Sequence, residues 1–138
     1  FSLDPASDNC LAGGKRSYHT IIPGFLLKDG AAVGPFGVMG AFMQPQGQTE
    51  VLVNTLDYHM NPQEALDAPR IQWIGGRRLE LEREAGEAIA DELRVMGHEV
   101  TVVDDRISMG RGQIIWRGED GVYTAGTEPR CDGAVAAW

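Results

Sequence analysis

Two short turns govern what this chain can fold into. Lys28-Asp29-Gly30 and Gly75-Gly76 each separate a pair of β-rich runs, and each pair is followed by a stretch with helical spacing. Asp and Gly accept positive φ, so the first turn predicts a hairpin. Its strands would be residues 19–27, with Pro23 marking a bulge or an edge, and residues 31–39. Residues 70–74 and 77–81 would form the second hairpin.

Between the hairpins, residues 40–47 read as a loop held by Pro45 and two glycines. Residues 48–59 read as a helix, with Val51, Leu52, Thr55 and Leu56 on one stripe. Asn61-Pro62-Gln63-Glu64 predicts the start of a short helix, with Asn61 as its cap, ending before Pro69. Ala85, Ala88, Ile89, Leu93 and Met96 repeat at helical spacing up to Gly97. Strands are expected over 98–103, 112–116, 122–125 and 134–138. This order predicts an α+β fold, an antiparallel-rich sheet covered by helices. A chain of 138 residues suits a single domain spanning 1–138.

Charge narrows the function classes. The net charge is −8, with three basic against seven acidic side chains up to Pro69 and nine against thirteen beyond it. Nucleic acids are bound by clustered Lys and Arg, and no such cluster exists. The apolar runs are too short to span a bilayer. His19, His59 and His98 sit on different elements without ligand spacing, so no metal site is expected. Cys10 and Cys131, near opposite ends, are expected to be free thiols.

Gly34, Gly37 and Gly40 match neither the dinucleotide fingerprint nor the P-loop. A glycine loop running into a helix start at Gly47-Gln48 would present backbone N–H groups to an anion or a developing oxyanion. A close-packed turn would need the same glycines. No serine lies in a nucleophile elbow. The carboxylates of residues 80–105 read as the solvated face of the amphipathic helix and its neighbours.

Several strings together resemble the C-terminal part of the γ-glutamyltranspeptidase family. They are Gly14-Lys15-Arg16, Tyr18-His19-Thr20-Ile21-Ile22-Pro23 ahead of the Lys28-Asp29-Gly30 turn, and the run from Met39 to Gly47. Asn61-Pro62-Gln63-Glu64-Ala65-Leu66-Asp67-Ala68-Pro69-Arg70 and Glu128-Pro129-Arg130-Cys131-Asp132-Gly133-Ala134 complete the set. The resemblance implies part of a four-layer αββα sandwich of the N-terminal-nucleophile hydrolases. It also implies a self-cleaving precursor whose new N-terminal threonine acts as nucleophile, with its own amine as base.

That threonine is expected upstream of Phe1, so this chain would be the latter part of the small, catalytic subunit and inactive alone. Its partners would be the large subunit and the N-terminal part of the small one, with no cofactor and no metal. Carried over by position, the family's oxyanion-hole glycines fall on Gly40 and Ala41. The serines that bind the substrate carboxylate fall on His19 and Thr20, and Gln46 is an additional polar contact. The leading expectation is hydrolysis of a γ-glutamyl amide of the glutathione type. The alternatives are an acylase or small-amide hydrolase, to which the Ala41 and His19 replacements point, a non-catalytic scaffold relative, or a binding module for small anions.

Overall fold

Asp29 and Gly30 both hold positive φ, +52° and +80°. The chain reverses there between β1 (Gly24–Lys28) and β2 (Ala31–Met39), paired antiparallel. The computed structural model describes residues 2–138. After β2 come α1 (Met43–Leu56), α2 (Pro62–Asp67), β3 (Ile71–Gly75), β4 (Arg78–Glu82), α3 (Glu87–Val95), β5 (Glu99–Val103), β6 (Arg111–Arg117) and β7 (Tyr123–Thr127). The predicted α+β class holds.

The strands form two sheets, ordered β1-β2-β6-β7 and β3-β4-β5. The first is antiparallel throughout. In the second, β5 runs parallel to β4, the one parallel pairing among the described strands of an otherwise antiparallel arrangement. The cause is α3, a crossover that returns the chain to the end from which β4 set out.

One face of the four-stranded sheet is the core. Phe36, Val38, Ile114 and Trp116 point inward against Val51 of α1 and Ala65 and Leu66 of α2. The Phe36 and Trp116 rings meet tilted by 56° at 5.8 Å, a favoured aromatic geometry. The opposite face leaves Phe25, Leu27, Met39 and Ile115 exposed. α2 starts as its sequence predicts. The Asn61 side chain accepts from the N–H groups of Gln63 and Glu64, and the Glu64 carboxylate accepts from the Asn61 N–H at 2.9 Å.

Three local expectations fail. The strand expected over 19–27 begins only at Gly24. Pro23 has no N–H for a ladder, and the backbone of Thr20 and Ile22 bonds instead to glutamine side chains of α1. The loop expected over 40–47 is half helix, because α1 starts at Met43 and ends at Leu56, before His59. Pro45 fits in the first turn, where a backbone N–H has no intrahelical partner anyway. The strand expected over 134–138 is irregular and largely exposed, with no ladder partner among the described residues.

No helix among the described residues is long and apolar enough to cross a membrane. Cys10 and Cys131 are half-buried free thiols.

Candidate active site

The segment between β2 and α1 makes an abrupt turn. Gly40 holds φ +154° and Ala41 φ +49°. A Cβ on Gly40 would stand 2.9 Å from the Gly110 Cα and 3.2 Å from the Met43 Cβ, so only glycine fits. Ala41 takes the left-handed region that a small side chain tolerates at a cost of about 1 kcal/mol. The turn closes through bonds from the Met43 N–H to the Gly40 carbonyl, 2.8 Å, and from the Gln44 N–H to the Ala41 carbonyl, 3.2 Å. The amides of Gly40 and Ala41 take no part in those closures. The donors expected at Gly47-Gln48 are therefore misplaced. Gly47 lies inside α1, where a Cβ would come within 2.8 Å of Val38 Cγ1.

The spacing of polar residues along α1 accounts for its surroundings. Gln44, Gln46, Gln48 and Glu50 alternate, which on a helix puts residues 44 and 48 on one flank and 46 and 50 on the other. Each flank serves an extended segment. The Gln44 carboxamide accepts from the Ile22 N–H at 3.2 Å and donates to the Thr20 carbonyl at 2.8 Å, while Gln48 donates to the Ile22 carbonyl at 2.6 Å. On the other flank, Gln46 accepts from the Trp73 N–H at 2.7 Å and donates to the carbonyls of Trp73 and Phe42 at 3.3 and 3.1 Å. Glu50 accepts from the Ile71 N–H at 3.1 Å. The helix thereby covers the edge of β3 with side-chain groups.

These contacts locate the sequence-derived residues. Thr20 is brought to the first turn of α1, three residues beyond Ala41, and His19 lies exposed beside it. Gln46 has its carboxamide engaged by the backbone of Phe42 and Trp73, so its position is explained by holding β3. Phe42 is 89% exposed and Trp73 56%, which leaves two aromatic surfaces flanking Gln46.

Behind the turn stands a buried charge cluster that sequence reasoning missed. Arg70 is 2% exposed, and Glu82 and Glu128 are each 1%. Arg70 donates to the Glu128 carboxylate at 2.8 Å and to the carbonyls of Met109 and Gly110 at 2.8 and 3.1 Å. Glu128 also accepts from the Gly112 N–H at 2.6 Å. Arg130 bridges Glu128, at 2.7 Å, to Glu82, at 2.6 Å through Nε, and donates to the carbonyls of Leu66 and Ala68. Glu82 is thus buried and paired, not part of the solvated face expected for residues 80–105. The available signal was the Pro-Arg step, which occurs at Pro69-Arg70 and again at Pro129-Arg130.

Electrostatics follow burial. Burial alone would push the Glu82 carboxyl up, but hydrogen bonds from Arg130 and the Arg70 N–H, with the charges of Arg130 and Arg106, hold it below its usual value. Burial lowers the Arg70 guanidinium, helped by the like charge of Arg130. Burial opposes the charge of Arg130 too, yet its bonds to Glu82 and Glu128 raise it. Glu50 is the exception. Burial pushes it up to about 7, and its Oε2 has no hydrogen-bond partner among the described residues. No group of His, Cys, Asp and Glu among the described residues is arranged to hold a metal ion.

The chain matches the family described as gamma-glutamyltranspeptidase over residues 1–138. It is 37% identical to the glutathione hydrolase-like YwrD proenzyme of Bacillus subtilis, over 98% of this chain and 27% of that protein. It is 34% identical to the oxamate amidohydrolase proenzyme of Klebsiella pneumoniae, over 100% of this chain and 27% of that protein. The crystal structure of cephalosporin acylase from Bacillus halodurans superposes with a TM-score of 0.85 at 57% identity, covering all of this chain and 26% of that one. The chain thus spans about a quarter of the length of these relatives. With the match running its full length and the α+β fold shared with solved relatives, the chain belongs to the γ-glutamyltranspeptidase family.

Proposed function

We propose that this chain is the C-terminal portion of the small subunit of an amide hydrolase, working as one unit over residues 1–138. The nucleophile is an N-terminal threonine contributed from upstream. Its hydroxyl adds to the amide carbon while its own amine takes the proton, and the leaving amine departs with a proton as the acyl-enzyme forms. Water then resolves the ester. The negative oxygen of each tetrahedral intermediate is held by the N–H groups of Gly40 and Ala41, and His19 and Thr20 meet the acyl group's polar end.

The observation that carries this reading is the Gly40–Ala41 turn, wedged against Gly110, whose two amides the turn does not consume. An alanine at φ +49° keeps its N–H in place, so the replacement of the second glycine is compatible with an oxyanion hole. Gln46 supports β3 in this reading and does not meet the substrate. Among substrates, acyl amides of the kind a cephalosporin acylase opens come first, supported by the 57% identity to that enzyme and by the exposed rings of Phe42 and Trp73. Glutathione-type γ-glutamyl amides are the second reading, supported by the 37% identity to the glutathione hydrolase-like relative.

The test uses the full-length natural polypeptide. Intact-mass spectrometry and N-terminal sequencing should find a self-generated chain beginning with threonine. Acyl and γ-glutamyl anilides should both be assayed, with the acyl anilide turned over faster. Gly40→Ala keeps the N–H, but its Cβ would press on Gly110 and push the amide out of place. Its kcat should fall by about 10²–10³-fold, the size of effect that losing an oxyanion donor has. Absence of both self-cleavage and amide hydrolysis would overturn the reading in favour of a non-catalytic scaffold.

A further inference from the structure

We propose that Gln44 is a positioning residue for the substrate-binding half of the site, fixing the main chain of residues 20–22 at a set distance from Gly40 and Ala41. The inference rests on the reading above, in which His19 and Thr20 meet the substrate.

The sheet cannot hold this segment. β1 begins at Gly24, paired with Phe36, and Pro23 offers no N–H to extend the ladder. Residues 19–22 would hang from a proline. Gln44 supplies what a neighbouring strand would: an acceptor for the Ile22 N–H and a donor for the Thr20 carbonyl, two residues apart on one side of an extended chain. It is 7% exposed, so water does not compete for those bonds. Gln48, one helical turn on, adds the bond to the Ile22 carbonyl.

The same residue reaches the other half of the site. The Gln44 N–H donates to the Ala41 carbonyl at 3.2 Å. One residue therefore touches Ala41 with its main chain and Thr20 with its side chain, which links the two halves directly. A residue that only filled space at this position would need neither a donor nor an acceptor.

Two variants of the full-length protein separate positioning from packing. Gln44→Met keeps length and removes both bonds. Gln44→Glu keeps the acceptor for Ile22 and loses the donor to Thr20. In Gln44→Met, amide exchange at Ile22 should quicken about tenfold or more with β2 amides unchanged, since local opening then needs no loss of the sheet. KM for the acyl amide should rise about tenfold with kcat within about threefold, the pattern of lost ground-state positioning. Gln44→Glu should raise KM while leaving Ile22 protected. Unchanged Ile22 exchange in Gln44→Met, or a KM unmoved in both variants, overturns the proposal. If the unsubstituted protein hydrolyses no amide, the catalytic reading fails by itself. The Ile22 exchange in Gln44→Met then reports on the tether alone: quickened exchange shows that Gln44 fixes residues 20–22 while the substrate-positioning role falls with the catalytic reading, and unchanged exchange overturns both.

Discussion

The Gly40–Ala41 turn and the Arg70–Glu82–Glu128–Arg130 cluster are neighbours with opposite economies of polar groups. In the cluster every charge is spent on the chain itself, two carboxylates and two guanidiniums neutralising one another and tying down seven backbone carbonyls or amides. The turn carries no charge, and its two amides are left out of the bonds that close it. Perturbed ionisation ordinarily flags catalytic groups. Here it flags the support, because the proposed chemistry at this end of the site needs only uncharged N–H donors, which do not titrate. The two regions meet at Gly110, whose carbonyl Arg70 holds and whose Cα fills the space a Gly40 side chain would need.

The sharpest way to break this contrast is to open the cluster. Arg70→Met removes one guanidinium and leaves the Met109 and Gly110 carbonyls and part of Glu128 unpaired in the interior. Breaking one side of a buried pair costs about 3–5 kcal/mol. Urea unfolding of the variant should show a loss of that size, and a loss below about 1 kcal/mol would mean the cluster is not what secures Gly110.

A second test uses Glu50, a neighbour of the cluster with no ion-pair partner among the described residues. Glu50 sits at about 7 in the folded protein against an ordinary 4.5. Between those values the folded chain keeps a proton that the unfolded chain has released. The stability this contributes is therefore complete below about pH 4.5 and is lost as pH rises towards and through 7, by on the order of 3 kcal/mol. Glu50→Gln, neutral at every pH, should match the natural protein at about pH 4 and exceed it at about pH 8. Denaturation midpoints of the two proteins that fall in parallel across this range would show that Glu50 is ionised in the fold.

The smallest effect belongs to the turn. Ala41→Gly relieves the left-handed strain but adds backbone freedom to the unfolded chain, two terms of about 1 kcal/mol that nearly cancel. Melting should shift by no more than a degree or two, and amide hydrolysis should hold within about twofold. A large gain in activity would mean that the alanine methyl obstructs the amide pair.

What the sequence discloses here is local. The Asp29-Gly30 turn and the Asn61–Glu64 cap are decided within four residues, by side chains that accept positive φ or reach their own backbone, and both were legible. The start of α1 was not, because proline and glycine at 45 and 47 read as loop residues. Proline is allowed there by its place in the first turn, and glycine is required by Val38, contributed from another element. Partner choice was equally hidden. Nothing in residues 99–103 announces that they run parallel to β4, and nothing in Gln46 says that its carboxamide will be engaged by Trp73. The candidate site was legible only by resemblance, since two amides carry no side-chain signature, whereas the residues that brace it stood in the matching strings without any chemistry attached.

The span of the brace has a consequence for how the protein is made. Arg70 and Glu128 are 58 residues apart. At ordinary rates of synthesis, about 5–20 residues per second, roughly 3–12 s separate their emergence. Through that interval Arg70 and Glu82 must wait in water, and the hairpins and α1 can form while the ground beneath Gly40 is still unset. The amide turn is thus among the first pieces of this chain to be written and among the last to be made firm, and a polypeptide cut short before Arg130 carries the whole turn without the means to hold it.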